Sequence, residues 1–213
     1  MKKQKEYRKH RLPQTKLRAL AKVALLNMNR DIAALGARGI TANDATVLQQ
    51  KIEAWDNFPT DDELKGMCMD AVLQKTKANE ALMHDLKMIK NMAWVHFKGK
   101  GYFHCFHFER LHNRSQEDFW RYAKSVRRVA INFQSQLADE GLTPAKLNDL
   151  QAKITDVEAK IEEVDAADTN RIIASVERTD LANDLWATVD RINKIGRSVF
   201  GDADEARAND YLS

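Results

Sequence analysis

The stretch LGARGITANDATVLQQKI, residues 35–52, has a counterpart 102 positions later in LADEGLTPAKLNDLQAKI, residues 137–154. Each stretch carries Gly, an aliphatic residue and Thr in that order, at Gly39-Ile40-Thr41 and at Gly141-Leu142-Thr143. Glycine suits the left-handed residue that ends a helix, and the Thr two residues later suits the start of the next helix. Each stretch therefore predicts a tight turn between two helices.

The match extends well beyond these turns. A shift of 102 aligns residues 17–64 with 119–166 without a gap, and a shift of 104 aligns residues 78–82 with 182–186. The identity is low, but the matching positions keep a common order and coincide at the predicted helix ends. We interpret the chain as a tandem duplication of one helical unit.

Each unit is predicted to contain three helices. The first helix of each unit shows apolar residues at spacings of three and four: Leu17, Leu20, Ala21, Ala24, Met28, Ile32 and Leu35 in one, and Phe119, Tyr122, Ala123, Val126, Ala130, Phe133 and Leu137 in the other. Pro59 ends the second helix of the first unit, and a weaker break is expected within 165–170 of the second. The third helices are then about 61–97 and 169–200.

The fold class expected from these patterns is all-α, an elongated antiparallel helical bundle of two tandem three-helix units. The predicted segments are a basic tail at 1–14, a helical unit at 15–97, an aromatic and His-rich linker at 98–114, and a second helical unit at 115–213. Only 3 Pro and 8 Gly in 213 residues agree with long uninterrupted helices.

The composition favours a cytoplasmic location. The two cysteines, Cys68 and Cys105, are too few for a disulfide framework, which favours a reducing compartment. The N-terminal residues are charged but lack the apolar stretch of a secretory signal. No run of 18 uncharged apolar residues occurs, so we expect no membrane-spanning helix.

Charge is unevenly divided along the chain. Residues 1–135 hold 25 Lys+Arg against 14 Asp+Glu, whereas residues 136–213 hold 9 against 17. This asymmetry suits an anionic partner, head-to-tail self-association, or contact between the two halves of one chain.

The anionic-partner alternative is a nucleic-acid-associated protein that uses the basic N-terminal half. Its candidate polyanion-binding residues lie in the tail and the linker: Lys2, Lys3, Lys5, Arg8, Lys9, Arg11, Lys98, Lys100, Arg110 and Arg114. Four cations of the following helix, Arg121, Lys124, Arg127 and Arg128, extend this positive surface.

The linker also holds a cluster of possible zinc or copper ligands, His104, Cys105, His107 and His112. Their spacing does not match the separated ligand pairs of a zinc finger, and phenylalanines alternate with them. We therefore favour an aromatic plug at the end of the bundle over a metal site. No catalytic constellation or cofactor motif is recognisable, and Lys98-Gly99-Lys100-Gly101 lacks the rest of a phosphate-binding loop.

The function favoured by the sequence is a non-catalytic scaffold or adaptor that acts through protein contacts, in a homo-oligomer or a larger assembly. Exposed ion pairs contribute little, so such contacts need apolar anchors. The candidates are Tyr102, Phe103, Phe106, Phe108, Tyr211 and Leu212. Nucleic-acid association is the second hypothesis, and a metal- or ligand-binding bundle is the third; no membrane partner and no small-molecule substrate are expected.

Overall fold

The computed structural model describes residues 7–110, 116–201 and 203–212, without the side chains of residues 110, 116 and 117. Helix makes up 81% of the described residues, and the described ranges contain no strand, which confirms the all-α prediction. No helix in this part of the chain combines the length and the apolar character that crossing a membrane requires.

Six α-helices are present in the described residues. They are α1 Gln14–Gly36, α2 Ala42–Asp56, α3 Asp61–Phe97, α4 Gln116–Asn132, α5 Pro144–Phe200 and α6 Glu205–Asn209, and two short 3₁₀ helices, Gly101–Phe106 and Phe108–Arg110, lie between α3 and α4.

The two predicted turns have matching geometry. Gly39 and Gly141 adopt positive φ angles of 80° and 87°. The backbone N–H of Ile40 donates to Leu35 O at 3.3 Å, and that of Leu142 donates to Leu137 O at 3.0 Å. These are the hydrogen bonds by which a left-handed residue ends a helix. The turn prediction is therefore confirmed at both positions.

The break predicted within 165–170 is wrong. Helix α5 runs without interruption for 57 residues from Pro144 to Phe200. Between Pro144 and Gly196 the sequence contains neither Pro nor Gly, so no residue there removes a backbone donor or strongly disfavours the helical conformation.

The described chain forms two compact units. The first unit combines the segments 1–61 and 171–213, and the second unit is 62–170. This division differs from the predicted segments 15–97 and 115–213. Helix α3 packs with α4 and the start of α5, whereas the C-terminal part of α5 packs with α1 and α2. Helix α5 cannot fold back on α4 without a break, so its C-terminal half continues into the first unit.

Each unit has its own apolar core. In the first unit, α1 and α2 pack against the α5 residues Ala182, Leu185, Val189, Ile192 and Phe200. In the second unit, α4 and the start of α5 pack against the α3 residues Leu82, Leu86, Ile89, Ala93 and Phe97. Lys153 Nζ lies 2.7 Å from Asp85 Oδ2 and His96 Nδ1 lies 3.7 Å from Glu140 Oε1, so α3 and α5 are antiparallel there.

The charge asymmetry largely disappears in these units. The first unit holds 18 Lys+Arg against 14 Asp+Glu, and the second holds 16 against 17. Ion pairs join the two sequence halves inside the first unit, including Lys51 Nζ to Asp184 Oδ1 at 2.8 Å and Arg191 to Asp44 at 3.3 Å. Contact between the halves of one chain therefore accounts for much of the asymmetry.

Candidate polyanion-binding site

A basic cleft of about 390 Å³ lies on the second unit. Its described lining residues are Arg121, Lys124, Arg127, Arg128 and Gln151, so α4 supplies four cations and α5 supplies an amide. We call this set the basic cleft. Arg121, Lys124 and Arg128 follow at spacings of three and four, which places them along one face of α4.

Neighbouring groups hold several of these cations in place. Lys124 Nζ lies 3.8 Å from the centroid of the Trp120 ring and 3.0 Å from Glu158 Oε2. The Nε of Arg127 donates to Leu147 O at 3.0 Å. The Arg121 guanidinium carbon is 5.8 Å from the Trp120 centroid. These contacts restrict the cations before any ligand binds, which lowers the entropy cost of binding.

The opposite face of the same helix explains its position. Tyr122, Ala123, Val126 and Ala130 are buried in the core of the second unit. This apolar stripe fixes the rotation of α4, so the residues between its members face outward. The cations therefore lie on a surface whose orientation the core determines.

The equivalent surface of α1 is different. At the 102-residue shift, Arg121, Arg127 and Arg128 correspond to Ala19, Leu25 and Leu26. The pair Lys124–Glu158 corresponds to Lys22–Asp56, whose charged atoms lie 4.0 Å apart. The two helices aligned by this shift thus share one ion pair, whereas the other three cations belong to α4 alone.

A larger cleft of about 440 Å³ lies elsewhere on the second unit, between α3 and α5. Several of its charged groups already have partners within the chain. Asp85 pairs with Lys153, and Lys146 Nζ donates to Gly141 O at 2.8 Å. The lining of this cleft also includes the carboxylates of Asp85 and Asp149, whereas the described lining of the basic cleft contains none, so the basic cleft is the stronger candidate for an anion.

The polyanion-binding residues predicted in the tail and linker are more dispersed. Arg8, Lys9 and Arg11 are exposed on the segment 7–13 of the first unit, and Lys98 and Lys100 are exposed after α3 in the second unit. Lys2, Lys3, Lys5 and Arg114 lie outside the described residues, as does the side chain of Arg110.

The segment 7–13 is attached to α5 in the first unit. The backbone N–H of Lys9 donates to Asn183 Oδ1 at 2.7 Å, and Asn183 Nδ2 donates to Tyr7 O at 3.2 Å. The buried His10 ring lies 5.8 Å from that of Trp186. The backbone contacts order the segment while the side chains of Arg8, Lys9 and Arg11 stay in solvent.

Most of the predicted protein-interaction residues lie in cores. Phe106, Phe108 and Tyr211 are at most 2% exposed, and Phe103 is partly buried. The Phe106 and Phe108 rings stack with centroids 5.1 Å apart, and Tyr122 Oη donates to Phe106 O. These four residues are therefore occupied within their own units, while Tyr102 and Leu212 remain 56% and 57% exposed.

The possible metal ligands that the structure describes are not gathered into a site. His104, Cys105 and His107 are exposed, and His107 Nδ1 lies 3.3 Å from Glu109 Oε1. His112 lies outside the described residues. In the described part of the chain, no three His, Cys, Asp or Glu side chains are placed to hold a metal ion.

A polar network in the first unit is not predicted from the sequence. The carboxylate of the buried Asp31 accepts a hydrogen bond from Tyr211 Oη at 2.9 Å and from Arg30 at 2.7 Å, and Arg207 lies 3.5 Å away. Hydrogen bonds from Arg30 and Tyr211 hold the pKa of Asp31 below its usual range. Burial, and then the bond to Asp31, raises the pKa of Tyr211.

A sequence signal for this network exists. Asp31 lies three residues after Met28 and four before Leu35, on the buried stripe of α1. A carboxylate at such a position requires a hydrogen-bond partner, which here is the C-terminal Tyr211.

Searches against family models, curated proteins and solved structures found no match for this chain. Its function is therefore inferred from its own residues.

Proposed function

We propose that this chain is a non-catalytic nucleic-acid-binding protein that holds a phosphate backbone in the basic cleft. The observation that supports the proposal is the grouping of Arg121, Lys124, Arg127 and Arg128 on one side of one helix. A row of cations suits a linear polyanion better than a compact small ligand. Arginine contributes several N–H donors in a planar fork that matches phosphate oxygens.

The expected recognition is independent of base sequence. Lys124 covers the face of the Trp120 ring, and the linker rings Phe106 and Phe108 are buried, so these aromatic faces are occupied. Contacts to phosphates position a protein on nucleic acid but carry no sequence information directly. We therefore expect binding to an arbitrary duplex.

The test is the salt dependence of binding to a fluorescent duplex of arbitrary sequence, measured by anisotropy. If four phosphates are neutralised, the logarithm of the association constant falls with the logarithm of salt concentration with a slope of about −3.6. The variant Arg121→Gln/Arg128→Gln removes two of these contacts and makes the slope shallower by about 2.

A matched control is Lys16→Gln/Lys22→Gln, which removes two exposed cations from α1 and makes the same change in net charge. Its slope is expected to stay within about 0.5 of the wild-type value, because these lysines lie outside the basic cleft. Equal effects of the two double variants would contradict a specific role for the cleft. Absence of binding at about 50 mM salt, where phosphate contacts are strongest, would reject the function.

Deleting residues 1–6 distinguishes the contribution of the basic tail to binding from that of the cleft, because the deletion removes Lys2, Lys3 and Lys5. We expect the truncated chain to retain binding that Arg121→Gln/Arg128→Gln weakens further. If the truncation abolishes binding, the phosphate contacts come from the tail and the cleft proposal is wrong.

A further inference from the structure

The N-terminal half of α3 leaves an apolar group exposed. Every buried residue of this helix lies at Leu82 or beyond. Before that point, Met69, Val72 and Leu73 are 64%, 45% and 50% exposed. Three neighbouring exposed apolar side chains on one helix mark a candidate interaction surface.

These residues belong to one face of α3. At 3.6 residues per turn, the positions that share this face are Lys65, Met69, Val72, Leu73, Thr76 and Glu80. The partly buried residues Leu64, Cys68, Ala71 and Ala78 follow a second stripe, whose centre lies more than a quarter turn around the helix from the centre of this face. We call the exposed set, Lys65 to Glu80, the outer face of α3.

The outer face is complementary to itself. If two copies of α3 lie antiparallel about the midpoint between Val72 and Leu73, each Val72 faces Leu73 of the second copy. Met69 then faces Thr76, and Lys65 faces Glu80, on each side of the two-fold axis. Two identical surfaces must be complementary in this way to form a closed symmetric dimer.

We infer that the outer face of α3 binds the same face of a second copy of this chain, forming an antiparallel two-fold dimer. This inference is independent of the proposed nucleic-acid binding. Within the described residues, neither Lys65 nor Glu80 has an ion-pair partner within 4.0 Å. Both charges are therefore available to the second copy.

The apolar residues and the charges contribute differently. Val72, Leu73 and Met69 supply the apolar area that drives association. Exposed ion pairs add little affinity, but like charges placed opposite each other weaken the wrong arrangement, so Lys65 and Glu80 determine the register. From Lys65 to Glu80 the helix rises about 22 Å, which makes a small interface.

A small interface predicts a weak dimer, with a dissociation constant of roughly 100 μM. Sedimentation equilibrium between about 10 and 500 μM, which brackets this constant, should show the mass rising from 24.4 kDa towards twice that value. Leu73→Glu buries a charge in the interface and should weaken association at least about tenfold. The control Val95→Glu changes another exposed residue of α3, 63% exposed, and should dimerise as the wild type does.

Charge reversal tests the register. Lys65→Glu places two carboxylates opposite each other and Glu80→Lys places two ammonium groups opposite each other, so each variant alone should dimerise about three- to tenfold more weakly. The double variant Lys65→Glu/Glu80→Lys restores both pairs and should recover wild-type association.

A mixture of the two single variants gives the sharpest result. Lys65→Glu carries two acidic positions and Glu80→Lys carries two basic ones, so an antiparallel pair of one copy of each has favourable contacts at both ends. Heterodimers should therefore exceed either homodimer, as measured by fluorescence energy transfer between differently labelled chains. Each variant should remain folded, because all the changed positions are exposed. Circular dichroism checks this.

Three results would overturn the inference: a monomer throughout the concentration range, equal association of Leu73→Glu and Val95→Glu, or no preference for the mixed pair. The last result with a dimer present would place the interface elsewhere or in another register. An interface on another surface or in another register would contradict the antiparallel pairing about Val72 and Leu73.

Discussion

The two units close their cores with different chemistry at two positions that the 102-residue shift aligns, one in α1 and one just after α4. Asp31 in α1 corresponds to Phe133, 102 residues later. In the first unit, the buried carboxylate of Asp31 accepts a hydrogen bond from Tyr211. In the second unit, the Phe133 ring lies 5.2 Å from that of Phe97 and 6.1 Å from that of Phe106. Similar hairpins are therefore completed by unrelated segments.

The segments also differ in how the chain restrains them. The first unit is covered by two terminal segments, 7–13 and 203–212, whereas the second is closed by the internal linker between α3 and α4. Segment 7–13 contacts α5 through Asn183, and segment 203–212 contacts α1 through Tyr211. The linker is held at both ends, so losing its contacts disturbs two helices.

Gly196 shows how closely the C-terminal segment fits. A Cβ atom at this position would overlap the Tyr211 ring. That ring also stacks on Phe200 with centroids 6.0 Å apart. The absence of a side chain at 196 creates the space in which Tyr211 reaches Asp31.

The largest effect is expected in the linker. Phe106→Ala removes a ring that is 1% exposed and leaves a cavity among Phe97, Phe108 and Phe133. We expect the free energy of unfolding of the second unit to fall by about 3–5 kcal/mol, measured by urea denaturation. Tyr102→Ala, at a 56% exposed position of the same linker, is the control and should cost less than about 1 kcal/mol.

A loss for Phe106→Ala no greater than that for Tyr102→Ala would show that the linker is not an essential part of the core. The same variant tests the earlier interaction hypothesis. If Phe106 bound a partner protein, its removal would change association and leave stability intact.

The helix ends at the two turns can be predicted from the sequence, whereas the packing partners of the helices cannot. Gly39 and Gly141 end helices because of their own backbone conformation, which neighbouring residues specify. By contrast, the apolar stripe of a third helix does not by itself specify which hairpin it packs against. Which hairpin each third helix packs against depends on the continuity of α5. The sequence within 165–170 predicts a break, but the helix continues through it.

The same limit applies to the candidate site. The cations of α4 were visible as a basic stretch, but Gln151 joins them only because α5 packs beside α4. Phe106 and Tyr211 were interpreted as surface anchors because an aromatic residue in a non-helical segment looks the same whether its own unit or a partner covers it. In the structure both side chains are at most 1% exposed, so their own units cover them.

A smaller effect is expected for the hydroxyl of Tyr211. Tyr211→Phe keeps the stacking on Phe200 but removes the donor to the buried Asp31 carboxylate. Hydrogen bonds to charged groups contribute about 1.5–3 kcal/mol, so the free energy of unfolding of the first unit should fall by that amount.

The matched variant in the second unit is Tyr122→Phe, which removes a hydroxyl that donates to the uncharged Phe106 carbonyl at 3.2 Å. Its expected cost is about 0.5–1.5 kcal/mol, because the acceptor is neutral. Urea denaturation of both variants checks the difference. A smaller loss for Tyr211→Phe than for Tyr122→Phe would contradict the importance of the charged acceptor.

The smallest effect concerns the N-terminal segment and mild acid. Burial lowers the pKa of His10, the Arg8 cation lowers it further, and contact with the Leu12 backbone acts in the opposite direction. The docked segment therefore favours the neutral ring, and its stability is complete above the ordinary His pKa of about 6.5 and declines as the pH falls below it. Since one proton is taken up, the opening equilibrium rises by at most about tenfold per pH unit. Hydrogen exchange of residues 7–13, corrected for the intrinsic rate, should be faster at pH 5 than at pH 7.5, while His10→Phe keeps a ring beside Trp186 and should remove the pH dependence. The same corrected rate at both pH values in the wild type would show that His10 does not control the docking of this segment.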